Sequence, residues 1–173
     1  MNIGAVAESS LERRRTLLER LIPLARAAGD VILGVYASDF AVRGKADASP
    51  VTEADERAEA VILAGLAALT PDIPVVSEEA ASIGSIPAVD QTFWLVDPLD
   101  GTKEFISRNG EFTVNIALIE HGVPVLGVVL APTLGRLHAG AEGLGAFTEG
   151  ATGNRTASRV RPVPPDGPVV VSS

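Results

Sequence analysis

Cysteine is absent from the 173 residues. That excludes a disulfide framework, a thiolate nucleophile and any metal centre built on sulfur, and it suits a reducing cytoplasm. Histidine is nearly as scarce. Of the two present, His121 falls in an expected hairpin turn and His138 in an expected strand, neither with metal-ligand company. Basic charge is in deficit: 14 Lys and Arg against 22 Asp and Glu give a net charge of −8. Such a balance argues against broad capture of a nucleic-acid polymer, but not against a small phosphorylated molecule reached through cations gathered on carboxylates. Long apolar runs are missing too. The most apolar segment, GVPVLGVVLAPTLG, is interrupted by Pro124 and Pro132 and is too short to span a bilayer. At the N-terminus the arginines follow the apolar stretch, the reverse of a secretory signal. These absences predict a cytoplasmic chain with no membrane partner. The glycines of EGLGAFTEG do not match a dinucleotide fingerprint and read as strand turns.

The length suits one domain with a real core. From Ser10 to about Tyr36, apolar residues from Leu11 to Val35 recur at helical spacing, with Ser9 or Ser10 as cap and Pro23 and Gly29 as points of bending or division. FAVRGKADAS reads as a short strand entering a loop. A second helix is expected from near Thr52 to about Leu69, with Thr52 as cap and Asp55 as third residue of a capping-box variant. Strands then dominate: IPVVSEE, TFWLVD, two strands in FTVNIALIEHGVPVLGVVLAP joined at His121-Gly122, and further short strands in GRLHAGAEGLGAFTEG. Helices first and strands later favour a layered α+β domain over a βαβ repeat. The tail, RVRPVPPDGPVVVSS, reads as a proline-rich linker followed by a strand that only begins.

Acids stand at three strand ends or loops: Glu53 and Asp55 in VTEAD, Glu78 and Glu79 in VVSEE, Asp97 and Asp100 in VDPLD. Any one alone reads as a surface acid or a helix cap. Two of the three sets follow apolar β-formers, which brings their carboxylates out at the rim of a core. A hard cation such as Mg²⁺ takes a few carboxylates, water and substrate phosphate, and convergence of these strand ends would supply them.

The spacing in DPLDGT adds to this. Pro98 fixes its φ and is expected to turn the chain, leaving Asp97 at a strand end and the Leu99 carbonyl free. Asp100 and Gly101 then open a helix through TKEFI, whose first amides suit an anion. Two readings stay open on the residues alone: a metal-assisted phosphoryl hydrolase, or an Asp-capped helix after a turn.

WLVDPLDGTKEFI, with SEE upstream and SPVTEAD further upstream, closely resembles the inositol monophosphatase superfamily of Mg²⁺-dependent, lithium-sensitive phosphatases. The ending Lys-Glu-Phe-Ile, with RNGEFTVNIALI after it, resembles its 3'(2'),5'-bisphosphate nucleotidase branch. The likeness runs from the first helix to GLGAFTEG. It implies the N-terminal half of a layered αβ sandwich of the sugar-phosphatase type, with residues 1–158 as the metal- and phosphate-binding domain and 159–173 as linker and first strand of a C-terminal domain.

Carried over by position, the resemblance implies that Glu78, Asp97 and the Leu99 carbonyl hold one Mg²⁺. Asp97 and Asp100 hold a second, and Glu78 with water a third. Thr102, hydrogen-bonded to Asp55, orients the attacking water, so that Thr102, Asp55 and Glu78 form the catalytic set. Gly101, Thr102 and Lys103 face the substrate, with Glu104 beside Lys103 at its entrance, while Lys45 lies in a loop near the metals and Glu79 supports Glu78. The implied reaction removes the 3'-phosphate of 3'-phosphoadenosine 5'-phosphate, a by-product of sulfate assimilation, giving AMP and phosphate. Alternatives on the same scaffold are an inositol monophosphate or fructose 1,6-bisphosphate phosphatase and an inactive metal-binding remnant. Superfamily members carry a second half with a Trp-Asp motif that adds an aspartate to the second metal. Here the single Trp is Trp94, so the resemblance implies a shortened chain, an incomplete second metal site and self-association through an exposed VVVSS edge.

Overall fold

The computed structural model describes residues 3–44 and 50–170. The chain opens with a single helix, α1 (Ile3–Tyr36), which begins earlier than the expected serine cap and is not divided at Pro23. Pro23 lies on the exposed side, where water reaches the carbonyl that loses its partner. Gly29 is not a break either. A Cβ there would stand 2.7 Å from Leu130 Cδ2, so the glycine lets the helix lie close on the sheet. The buried stripe is the expected one, Leu17, Leu18, Leu21, Ile22, Ala25, Ala28, Ile32 and Val35.

Two short strands, β1 (Val42–Gly44) and β2 (Pro50–Thr52), pair antiparallel. The second helix, α2 (Glu53–Leu69), starts at the expected place with Thr52 as its cap. Next come β3 (Val75–Ser77), a short helix α3 (Glu78–Ser82), β4 (Thr92–Asp100), a short helix α4 (Thr102–Ile106), β5 (Thr113–Glu120) and β6 (Val123–Ala131). A 3-10 turn (Pro132–Leu134) leads to β7 (Arg136–Ala141), β8 (Gly145–Glu149) and β9 (Arg155–Ser158). The hairpin between β5 and β6 turns at His121 and Gly122, both at positive φ, as a two-residue hairpin favours.

Strands β3 to β9 form one sheet in sequence order, antiparallel except for the parallel pair β3 and β4. Helices α1 and α2 cover one face, α1 over β5 to β7 and α2 over β4. Between the layers lie Trp94, Val96, Ile116, Leu118, Val128, Leu130 and Leu137, all buried. This is the expected α+β layering. Trp94 donates from Nε1 to Thr70 Oγ1 at 2.8 Å and so fastens β4 to the end of α2. On the far face Leu95 and Val129 remain exposed.

Ion pairs tie the sheet edge to α1. Arg155 donates to both carboxylate oxygens of Glu19 and to Glu149, and Arg26 also reaches Glu149. Past Ser158 the chain to residue 170 has no regular structure and is almost entirely exposed. Val169 and Val170 therefore do not start the expected strand, and the remaining residues of VVVSS lie outside the described ones. Among the described residues no helix is long and apolar enough to cross a membrane.

Candidate functional site

The acids meet because of strand register. Parallel pairing sets Ser77 of β3 opposite Val96 of β4, so the next residues along, Glu78 and Asp97, emerge side by side at the same sheet end. Glu78 is the first residue of α3, capped by Ser77, whose hydroxyl accepts from the Ala80 N–H at 3.2 Å. On the other side of β4, Asp97 faces Asn115 of β5.

Pro98 does not turn the chain out of the sheet as the sequence suggested. Strand β4 continues to Asp100, and its register slips: Asp97 pairs with Asn115 and Asp100 with Thr113, so Pro98 and Leu99 together stand opposite Val114. An extra residue on one strand is a β-bulge, one of the few places in a sheet that tolerates a proline. The bulge re-aims the chain so that Leu99 is buried while Asp100 is exposed.

Gly101 follows with φ 97°, a left-handed conformation, and a Cβ there would stand 2.9 Å from the Glu111 carbonyl oxygen. Both facts require glycine. It caps α4, so Asp100 is not the helix cap; its Oδ2 instead accepts from Asn115 Nδ2 at 3.1 Å. Beneath α4 the buried Phe105 ring packs on Tyr36, Phe40 and Phe112, with centroids 4.7 to 5.2 Å apart. This aromatic cluster fixes the short helix that its length alone would not hold.

Thr102 opens α4 and reaches two acceptors, Asp55 Oδ1 at 3.1 Å and the Leu99 carbonyl at 3.3 Å. Asp55 is fully buried. Its Oδ2 accepts from the Thr52 N–H at 2.8 Å and the Thr52 hydroxyl at 2.7 Å, closing the capping box of α2. One carboxylate thus starts α2 and holds the hydroxyl that opens α4.

Asp97 is the strained member. Burial first, then the charges of Glu78 and Asp100 and a hydrogen bond with Glu78, push its carboxyl up to about 7, against the Leu99 N–H, which pulls it down. Its Oδ1 is buried without a hydrogen-bond partner among the described residues. Unshared oxygen and crowded negative charge are what a bound cation relieves, and every donor here is a hard oxygen of the kind such a cation takes. As they stand, no three carboxylates or histidines among the described residues converge closely enough to hold a metal ion. Asp100 is held by Asn115.

An open cavity of about 480 Å³ starts at Ser77, Glu78, Asp97 and Asn115 and runs along the far sheet face over Leu95, Gly127 and Val129. A larger hollow, about 620 Å³, lies between the start of α1 and the end of α2 and touches none of these residues. Among the expected substrate-facing residues, Lys103 is exposed on α4 and Glu104 half-buried. Glu79 is buried beside Glu78, and Lys45 lies outside the described residues.

Two residues not anticipated belong to this neighbourhood. Asn115 sits where a polar residue interrupts the apolar run of β5, a signal that it faces outward. Glu59, four residues after Asp55 on α2, accepts from the Ser77 hydroxyl and from the Ala80 N–H, the latter at 3.3 Å. That i, i+4 spacing was the available signal.

The chain is similar to known proteins. The description "Inositol monophosphatase family" matches residues 13–169. The chain is 57% identical over 129 residues, 73% of its length, to the 3'(2'),5'-bisphosphate nucleotidase CysQ of Escherichia coli O157:H7, of which 52% is covered. It is 59% identical over 129 residues to the protein of that name in Salmonella typhimurium, with the same coverage. Among solved structures, CysQ from Bacteroides thetaiotaomicron is 42% identical with TM-score 0.61, covering 77% of this chain and 48% of that one. The Thermotoga maritima IMPase is 31% identical with TM-score 0.70, covering 78% and 52%. The chain spans about half the length of the curated relatives it matches. With the family matched over residues 13–169 and the fold shared with solved members, the chain belongs to the inositol monophosphatase family.

Proposed function

We propose that this chain is the metal- and phosphate-binding part of a Mg²⁺-dependent phosphomonoester hydrolase, which removes the 3'-phosphate of 3'-phosphoadenosine 5'-phosphate to give AMP and phosphate. The observation that carries the reading is Asp97: a crowded, partly buried carboxylate with an unshared oxygen, beside Glu78 and one bulge away from the Thr102–Asp55 pair. The names of the relatives at 57% and 59% identity support the choice of substrate.

In this reading Glu78, Asp97 and the Leu99 carbonyl would hold one cation, Asp97 and Asp100 a second, and Glu78 with water a third. When bound, the cations supply Lewis-acid charge at the scissile phosphate and its attacking water. The protein's own part is orientation. The Thr102 hydroxyl has one proton and two acceptors in reach, and charged Asp55 is the stronger of them. Donating its one hydrogen bond to Asp55 leaves the Leu99 carbonyl free to act as a ligand. It also turns the Thr102 lone pairs outward, where they accept a hydrogen bond from water and set its direction of attack. The amides of Gly101 and Thr102 receive the phosphate, with Lys103 at the entrance. In this reading residues 1–158 form the metal- and phosphate-binding domain.

The test is phosphate release from 3'-phosphoadenosine 5'-phosphate, inositol monophosphate and fructose 1,6-bisphosphate, with Mg²⁺ or chelator, by the chain alone and by the chain continued with the second half of a curated relative. Mg²⁺-dependent release with the bisphosphorylated nucleotide preferred supports the reading. Preference for inositol monophosphate or fructose 1,6-bisphosphate replaces the substrate, and no release in either form overturns the reading as an enzyme.

A further inference from the structure

Helix α2 presents two carboxylates one turn apart, Asp55 and Glu59, and each grips a different arm of the site. Asp55 holds Thr102, at the bulge end of β4. Glu59 Oε1 accepts from the Ser77 hydroxyl and from the Ala80 N–H at 3.3 Å, the residues on either side of Glu78 and Glu79. The Ser77 hydroxyl, in turn, receives the Ala80 N–H at 3.2 Å. The turn that carries Glu78 is therefore closed on itself and tied to α2 through the Glu59 side chain. No strand bond does this, because β3 ends at Ser77.

We infer that Glu59 is a positioning residue: it fixes the start of α3 so that Glu78 is presented beside Asp97, and with Asp55 it makes α2 the gauge that sets the Glu78 arm relative to the Thr102 arm. This rests on the reading of Glu78 as a cation ligand. The chemistry suits the task. A carboxylate accepts two hydrogen bonds on one oxygen at little cost, and the charge-assisted bond to Ser77 is stronger than the neutral N-cap bond alone. The rigid helix behind Glu59 removes the freedom that a five-residue helix at a sheet end would otherwise have. Loss of the anchor leaves Glu78 present but free to swing. The groups that orient ligands in this way usually matter roughly 10- to 100-fold to metal affinity.

The experiment is calorimetric Mg²⁺ titration of the chain and its variants, with a melting curve for each. Glu59→Ala is expected to weaken Mg²⁺ binding by roughly 10- to 100-fold. Glu59→Gln keeps both length and acceptor oxygen and should bind close to the parent. Glu59→Asp keeps the charge but withdraws it by one methylene, and should weaken binding as Glu59→Ala does; it also serves if Glu59→Ala fails to fold. In a Glu78→Gln background the effect of either variant should disappear, because there is no longer a carboxylate to position. Unchanged affinity in Glu59→Asp and Glu59→Ala, with Glu78→Gln still weakening binding, overturns this inference and leaves the metal site standing. A loss that persists in full on the Glu78→Gln background also overturns it, because Glu59 then acts elsewhere. A parent chain that binds no Mg²⁺, or one indifferent to Glu78→Gln, overturns the site reading and the inference with it.

Discussion

In the chelated chain Asp97 should make stability fall as pH rises. Its carboxyl titrates at about 7 in the folded state against 3.8 as the ordinary value. Between those values the folded chain holds a proton that the unfolded chain has released, so unfolding gains ground with each step upward in pH and the loss levels off above about 7. Each pKa unit is worth about 1.4 kcal/mol, so a shift of about three units sets a ceiling of about 4 kcal/mol. Asp97 is only partly buried, and solvent screening reduces this to about 2 kcal/mol. For a domain of this size that is a melting shift of roughly 4 to 8 °C. Asp97→Asn removes the titration and offers an amide donor to Glu78. It should therefore melt higher than the parent at about pH 8 and show a flat profile down to about pH 5. Trp94 is fully buried, so its emission follows the transition. Mg²⁺ should raise the parent at about pH 8 and leave Asp97→Asn unmoved. Equal pH slopes for parent and variant would refute the reasoning.

Thr102→Ala should keep Mg²⁺ affinity, measured by calorimetry, and lower phosphate release by about 10²- to 10⁴-fold wherever release is measurable; normal turnover would reduce Thr102 to a helix residue. Gly101→Ala places a Cβ 2.9 Å from the Glu111 carbonyl at a left-handed φ, and should cost about 1 to 3 kcal/mol in chemical denaturation. At the sheet edge, the hydrogen bond from Arg155 lowers the Glu19 carboxyl; burial opposes the same change at Glu149, but Arg155 and Arg26 prevail there. Carboxyls lowered by folding contribute stability above the ordinary value of 4.5 that disappears as pH falls through their folded values, so Arg155→Ala should flatten the acid limb of the melting profile.

Local signals carried well from sequence to structure. The capping box of Thr52 and Asp55 needs only residues three apart, and the hairpin at His121-Gly122 needs only two positions that tolerate positive φ. The buried stripe of α1 followed from periodicity. Pro98 was legible as an interruption but not as a bulge, since whether the strand resumes depends on β5 beside it. Helix α3 was hidden because five residues carry no period, and β9 because its residues are all exposed. At the site, residue types and placement marked the acids Asp55, Asp97 and Asp100, while the pairing of Thr102 with Asp55 came from the family resemblance. The meeting of Glu78 with Asp97 is set by parallel pairing of distant segments, and Glu59 by a contact between α2 and α3, neither of which a linear pattern specifies.

The most direct measurement is a calorimetric titration of Mg²⁺ into the parent chain, Asp97→Asn and Asp100→Asn at one pH above 7. The account predicts that the parent binds, that Asp97→Asn loses most of the affinity because a charged carboxylate becomes a neutral amide, and that Asp100→Asn weakens binding while the fold persists. Binding by Asp97→Asn as tight as by the parent would contradict it and place the metal, and the chemistry, elsewhere in the molecule.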